Sequence, residues 1–73
     1  MTYAEAEHRI AKIEQTTSDY EAAHLEEDKL YRDFVNEVSQ ADSSNSDYEL
    51  ERLKHLAQIV LRSREIDFPR HTA

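Results

Sequence analysis

Two Glu-x-x-His pairs are the first residues in this chain that could do chemistry: Glu5 with His8, and Glu21 with His24. Side chains three apart share a helical face, and carboxylate-bridged di-iron bundles use this spacing to hold their metals. Such a centre also needs partner carboxylates turned to the same interior, and Glu27 is the one seam residue of that kind. With so many glutamates and four histidines in 73 residues, pairs at this spacing arise by chance. Solvated helix-surface charge is therefore the expectation for both pairs, with no metal and no cofactor; a metal-binding helical bundle stands as a further alternative. No nucleophile–base arrangement, glycine-rich loop or basic stripe accompanies them, so the chain is expected not to be an enzyme and to have no catalytic residue.

His24 and Glu27 raise a different question, because both fall on the apolar seam of their helix. A polar layer of this kind fixes register and partner number at some cost in stability. Lys54 and His55 of the last helix are their candidate partners, and a histidine there could also act as a pH switch. A second regular feature is an acidic stripe, Glu7, Glu14, Glu21 and Asp28, seven apart along one edge of the seam. Asp19, Glu26 and Asp33 make a parallel row. Rows of carboxylates imitate a phosphate backbone, so an acidic nucleic-acid mimic that blocks a DNA- or RNA-binding protein is the alternative function. The simpler reading is charge placed beside a seam for solubility and partner choice.

The overall balance points the same way. Net charge is -7 with histidines neutral. Such a chain repels nucleic acid and anionic lipid, so direct contact with either is not expected. The longest unbroken apolar run is Ile59-Val60-Leu61, far too short for a membrane span. No apolar stretch of signal-peptide type opens the chain, and there are no cysteines, so the expected location is cytoplasmic. Glycine is absent and Pro69 is the one proline. Sheets with tight hairpins need more turn residues than that, and the abundant Glu, Lys, Arg and Ala favour helices. The fold class read from this is all-α, in one domain spanning residues 1–73.

The elements that would position these side chains follow from periodicity. Thr2-Tyr3-Ala4-Glu5 has the form of a capping box. From there Tyr3, Ala6, Ile10, Ile13, Thr17, Tyr20, His24, Glu27, Tyr31, Phe34 and Val38 alternate three and four apart, the spacing of a coiled coil. The register crosses Glu14 to Glu21 without a slip. Within that stretch, Ser18-Asp19-Tyr20-Glu21 is itself a capping box, which argues for a break near Thr17. Continuity is favoured by the unbroken heptads and by the lack of a glycine C-cap. A continuous helix over about residues 3–40 would be about 57 Å long, whereas a last helix of some 20 residues covers about 30 Å. Half of the long seam would then lie uncovered and would pair with a second chain. The expectation is a helical hairpin with an N-terminal extension in a coiled-coil-like homo-oligomer, with a three-helix bundle as the alternative.

A polar connector over residues 40–46 leads into Ser46-Asp47-Tyr48-Glu49, a third capping box, and a helix over about 47–66. Pro69 forbids its extension, which leaves a tail over 67–73. The expected core or interface comprises Ile10, Ile13, Tyr20, Leu30, Tyr31, Phe34, Val35 and Val38 from the first segment. The last helix adds Leu50, Leu53, Leu56, Ala57, Val60 and Leu61. Both broad stripes imply more than one neighbour. In the tail, Ile66 and Phe68 are anchors, expected to cap the end of their own bundle, with docking to another protein as the alternative.

HLEEDKLYRDFVNEV, the connector, and LAQIVLRSREIDFPRH together resemble a pattern in small orphan helical proteins of phages that infect actinobacteria, over about residues 24–73. The shared features are a His-x-x-Glu-Asp-x-Leu-Tyr helix, a short polar turn, a helix with paired small and aliphatic residues, and an Asp-Phe-Pro-Arg tail. His71 stands where that pattern carries an aromatic. The resemblance implies no assigned activity. It implies an accessory phage protein in the host cytoplasm that binds and modulates a host protein. The expected function is thus a non-enzymatic, self-associating protein-interaction module.

Overall fold

The computed structural model describes residues 1–42, 44 and 46–70. Three helices follow one another: α1 over Tyr3–Gln15, α2 over Tyr20–Ser39 and α3 over Ser46–Leu61. A 3-10 turn, Arg62–Glu65, continues α3, and the tail after it returns to the bundle through Phe68 and Arg70. There are no strands among the described residues. The bundle is elongated, 43 × 23 × 15 Å.

The favoured continuous helix is not what forms. The chain turns between Thr16 and Asp19, and the three-helix alternative is the observed fold. Local chemistry explains the break. Thr16 donates its hydroxyl to the Lys12 carbonyl at 2.6 Å, and its backbone N–H bonds to the Ile13 carbonyl at 3.0 Å. Thr17 Oγ1 donates to the Glu14 carbonyl at 3.3 Å. The last carbonyls of α1 are thus satisfied by threonine side chains, so no glycine is needed and no described residue has positive φ. Asp19 then caps α2, accepting from the Ala22 N–H at 3.2 Å. The cap is Asp19 rather than Ser18, one residue later than the capping-box pattern places it. Thr2 caps α1 as expected, accepting from the Glu5 N–H at 3.0 Å.

The break also turns α2 about its axis. Its buried residues are Ala23, Glu27 and Leu30, with Phe34 packed against them. The heptad pattern instead runs through Tyr20, His24, Glu27, Tyr31, Phe34 and Val38, so Glu27 and Phe34 keep their place while Ala23 and Leu30 join them. At about 100° per residue, exchanging half of the strip in this way turns its centre by roughly 50°. It brings Leu30 to the axis of the core and moves Tyr31, Val35 and Val38 towards the flank. The core joins Ala6, Ile10 and Ile13 of α1 to Ala23 and Leu30 of α2 and to Leu56, Ile59 and Val60 of α3. Ala6, Ile10 and Ile13 of the α1 seam are therefore covered within one chain, by α2 and α3.

Ion pairs join the helices outside this core. Arg9 reaches Asp33 at 2.9 Å and Lys12 reaches Glu26 at 3.3 Å, joining α1 to α2. Glu37 takes the Met1 amino group and Arg52, joining α2 to α3. Arg62 pairs with Glu7 across the α1 side of the 3-10 turn. Tyr3 and His55 stack at 4.1 Å between α1 and α3.

Candidate docking surface

The residues that could do chemistry are placed by this fold as follows. Glu5 and His8 are exposed on α1, Glu21 is exposed on α2 and His24 is half-buried there. No group of three or more His, Asp or Glu side chains among the described residues is arranged to hold a metal. His24 lies 3.4 Å from Asp28 on its own helix, and its Nδ1 is buried without a hydrogen-bond partner among the described residues.

Glu27 has the most unusual environment in the chain. It is only 3% exposed, yet carries a carboxylate. Arg70 meets it in a fork, Nε to Oε1 at 2.9 Å and Nη2 to Oε2 at 3.0 Å. The same guanidinium donates to the carbonyls of Ser63 at 2.7 Å and Ile66 at 2.9 Å. The Tyr31 and Ser63 hydroxyls share a hydrogen bond of 2.6 Å beside this cluster. Burial pushes the Glu27 carboxyl up, but the bonds from Arg70 and Ser63 and the charges of Arg70 and Arg64 outweigh it. Its pKa is held below the usual carboxylate range. The expected partners Lys54 and His55 are not involved: Lys54 sits near Glu51 and His55 stacks on Tyr3. They face other sides of α3, whereas the tail loops back over α2. Sequence reasoning missed Arg70. The available signal was a carboxylate on a buried seam, which demands a cation, and an arginine beside the tail's proline.

The tail anchors belong to the same cluster. Phe68 is buried and Ile66 packs against the core. The Arg70 guanidinium lies 4.0 Å above the Phe68 ring. The tail thus closes the end of its own bundle. His71, Thr72 and Ala73, with Ser43 and Asn45 of the connector, lie outside the described residues.

The acidic rows do not form an open array. Glu7 pairs with Arg62, Asp28 with His24, Glu26 with Lys12 and Asp33 with Arg9, while Asp19 caps a helix. Glu14 and Glu21 are exposed on different helices, so the seven-residue spacing does not become one straight line.

The remaining expected seam residues divide into two sets. Ile10, Ile13, Leu30, Leu56 and Val60 are buried, and Tyr31, Phe34, Leu53 and Ala57 are half-buried. Tyr20, Val35, Val38, Leu50 and Leu61 are exposed, so they are not core. Four of these exposed side chains are aliphatic, and helical spacing sets them on one side of α2 and α3. Val35 is 65% exposed, Val38 46%, Leu50 57% and Leu61 61%. Val35 and Leu61 line a groove between α2 and α3 with a volume of about 280 Å³, together with Tyr31, Phe34, Ala57, Val60 and Arg64. The lining contains one charged side chain and no carboxylate. Helical spacing carries the apolar strip further, since Leu50 lies seven residues before Ala57 and Val38 three after Val35. The α1 side of the bundle, by contrast, is crossed by ion pairs. The rotation of α2 and the breadth of the α3 stripe together create this surface.

Comparison of the chain with protein-family models, curated proteins and solved structures found no match. The surface must therefore be interpreted from its own chemistry. None of the helices among the described residues is long and apolar enough to cross a membrane.

Proposed function

We propose that this chain is a non-enzymatic protein-interaction module, and that the α2–α3 groove is its docking surface. One observation carries the reading: large aliphatic side chains are gathered on that face, at helical spacing, in a chain whose α1 side is laced with ion pairs. Contiguous apolar surface of this kind marks an interaction site, whereas single exposed aliphatics do not. Two antiparallel helices with a shallow apolar channel between them accept further helices through residues at i, i+3, i+4 and i+7. An intracellular setting suits such a module. The resemblance to accessory phage proteins, which work on a host protein, is compatible with the same role.

The test compares the tagged chain with a Val35→Ser/Leu61→Ser variant. Both side chains are exposed, so the variant is expected to stay folded, within about 0.5 kcal/mol of the parent. Each is challenged with host lysate and with untagged copies of itself. The reading predicts that protein is retained by the parent and lost from the variant. Equal retention by both would contradict it.

A further inference from the structure

The two ends of the groove carry opposite charge. Arg64 lines one end. Arg32 stands on the outer bank of α2, beside Val35 and outside the groove itself. Asp28, Glu65 and Asp67 are carboxylates of this end too; His24 lies beside the first, and the other two act on Arg62 and Arg70. Arg32 and Arg64, like Lys29 of α2, make no ion pair among the described residues, unlike Arg9, Lys12, Arg52, Lys54, Arg62 and Arg70. At the other end are Asp42 of the connector and Asp47 in the first turn of α3, both exposed. Neither makes an ion pair among the described residues; Asp42 accepts from the Ser44 N–H at 2.9 Å.

We propose that the occupant of the groove is a second copy of this chain, docked antiparallel about a two-fold axis near Val35 and Ala57. This rests on the docking-surface reading above and names its partner. In a two-fold contact, whatever residue i meets on its partner meets residue i in return. A surface with a basic end and an acidic end is therefore self-complementary when reversed. Arg32 and Arg64 of each copy then approach Asp42 and Asp47 of the other. The parallel arrangement would set arginine on arginine and aspartate on aspartate, which is repulsive.

The apolar centre has the same symmetry. Asp47 and Arg64 lie roughly 25 Å apart along the helix, at about 1.5 Å per residue. The middle of that span falls near Ala57, whose small side chain allows close approach. Leu61 of one copy then faces Leu50 of the other. A standard interface buries about 800 Å² on each side, which is about 15% of this chain's 5209 Å². The net charge of each copy opposes association, but at physiological ionic strength that repulsion is screened beyond about 8 Å.

The experiment is sedimentation equilibrium at physiological ionic strength, from low micromolar to millimolar chain. The parent is expected to dimerise, and Val35→Ser/Leu61→Ser to remain monomeric with unchanged helical circular dichroism. Charge reversal reads the orientation. Arg32→Glu/Arg64→Glu is expected to weaken the dimer about tenfold, as is Asp42→Lys/Asp47→Lys, with each acting at both symmetric ends. Combining all four reversals in one chain restores dimerisation only if the copies are antiparallel. A dimer that ignores these reversals overturns the antiparallel arrangement. A dimer that survives Val35→Ser/Leu61→Ser places the contact elsewhere and overturns the proposal. A monomeric parent also overturns it. In that case the docking-surface reading survives if the lysate experiment still separates parent from variant, and fails if it does not.

Discussion

Replacing Arg70 with methionine probes the most demanding interaction in the bundle. The substitution keeps much of the aliphatic stem but removes a guanidinium that forks onto Glu27 and donates to the Ser63 and Ile66 carbonyls. Removing one member of a fully buried ion pair costs about 3–5 kcal/mol, because the other charge stays buried without its partner. Here the Arg70 side chain is 26% exposed, so water reaches part of the vacated space. The expected cost is therefore about 2–3 kcal/mol. For a domain this small that lowers Tm by about 10 °C or more. Equilibrium urea unfolding, followed by helical circular dichroism, measures the difference directly. Its pH dependence gives a second signature. In the parent, Glu27 has a folded pKa below its ordinary 4.5. Its contribution is complete above 4.5 and is lost as pH falls through the lowered folded value. In Arg70→Met burial remains without its main counterweight, so the Glu27 carboxyl moves upward and protonation relieves the variant. The gap between parent and variant must narrow from neutral to acid pH. Adding Glu27→Gln to Arg70→Met should recover much of the loss. A cost below about 0.5 kcal/mol, the level of an ordinary surface change, would refute the reasoning, as would a gap that stays constant with pH.

Other perturbations follow from the same packing. Ile13→Asp places a charge in the centre of a single-chain core, so it should unfold the chain, visible as lost helicity at any concentration, rather than yield folded monomers. Phe68→Ala should cost about 3 kcal/mol in urea unfolding, at the low end for a buried phenylalanine because the tail is terminal to the core. Asp19→Ala removes the α2 cap and should cost about 1 kcal/mol while leaving the three-helix fold intact. Glu37, like Glu27, is held below 4.5, first by its hydrogen bond from the Met1 amino group and then by Arg52. The parent should therefore lose stability progressively below pH 4.5 in acid titrations followed by circular dichroism.

The helical class was legible because it needs only local information. Glycine is absent, helix formers dominate, and the apolar residues recur at helical spacing. The caps at Thr2 and near Asp19 were legible for the same reason. The break at Thr16–Asp19 was harder to weigh, because four residues are close to one helical turn. The heptad spacing therefore continues across a reversal of chain direction and looks uninterrupted. Threonine hydroxyls completing the end of α1 gave no glycine signal. Once the chain turns, the buried strip of α2 is set by contacts with α1 and α3. That is why Leu30 replaces Tyr31 at the centre while Val35 and Val38 face outward. The docking face was thus present in the residue list, but core and interface residues were not separated there. Glu27 was recognised as an anomaly on the seam. Its partner lay 43 residues away in the tail, a pairing that only the folded chain brings together.

The central claim is that the α2–α3 face is covered by protein in solution, and methyl NMR over a dilution series tests it most directly. The account predicts that Val35, Val38, Leu50 and Leu61 methyl resonances shift with chain concentration, while those of Ile10, Ile13, Leu30 and Leu56 stay fixed. Shifts at the core methyls, or none at the face between micromolar and millimolar chain, would contradict self-docking through this surface.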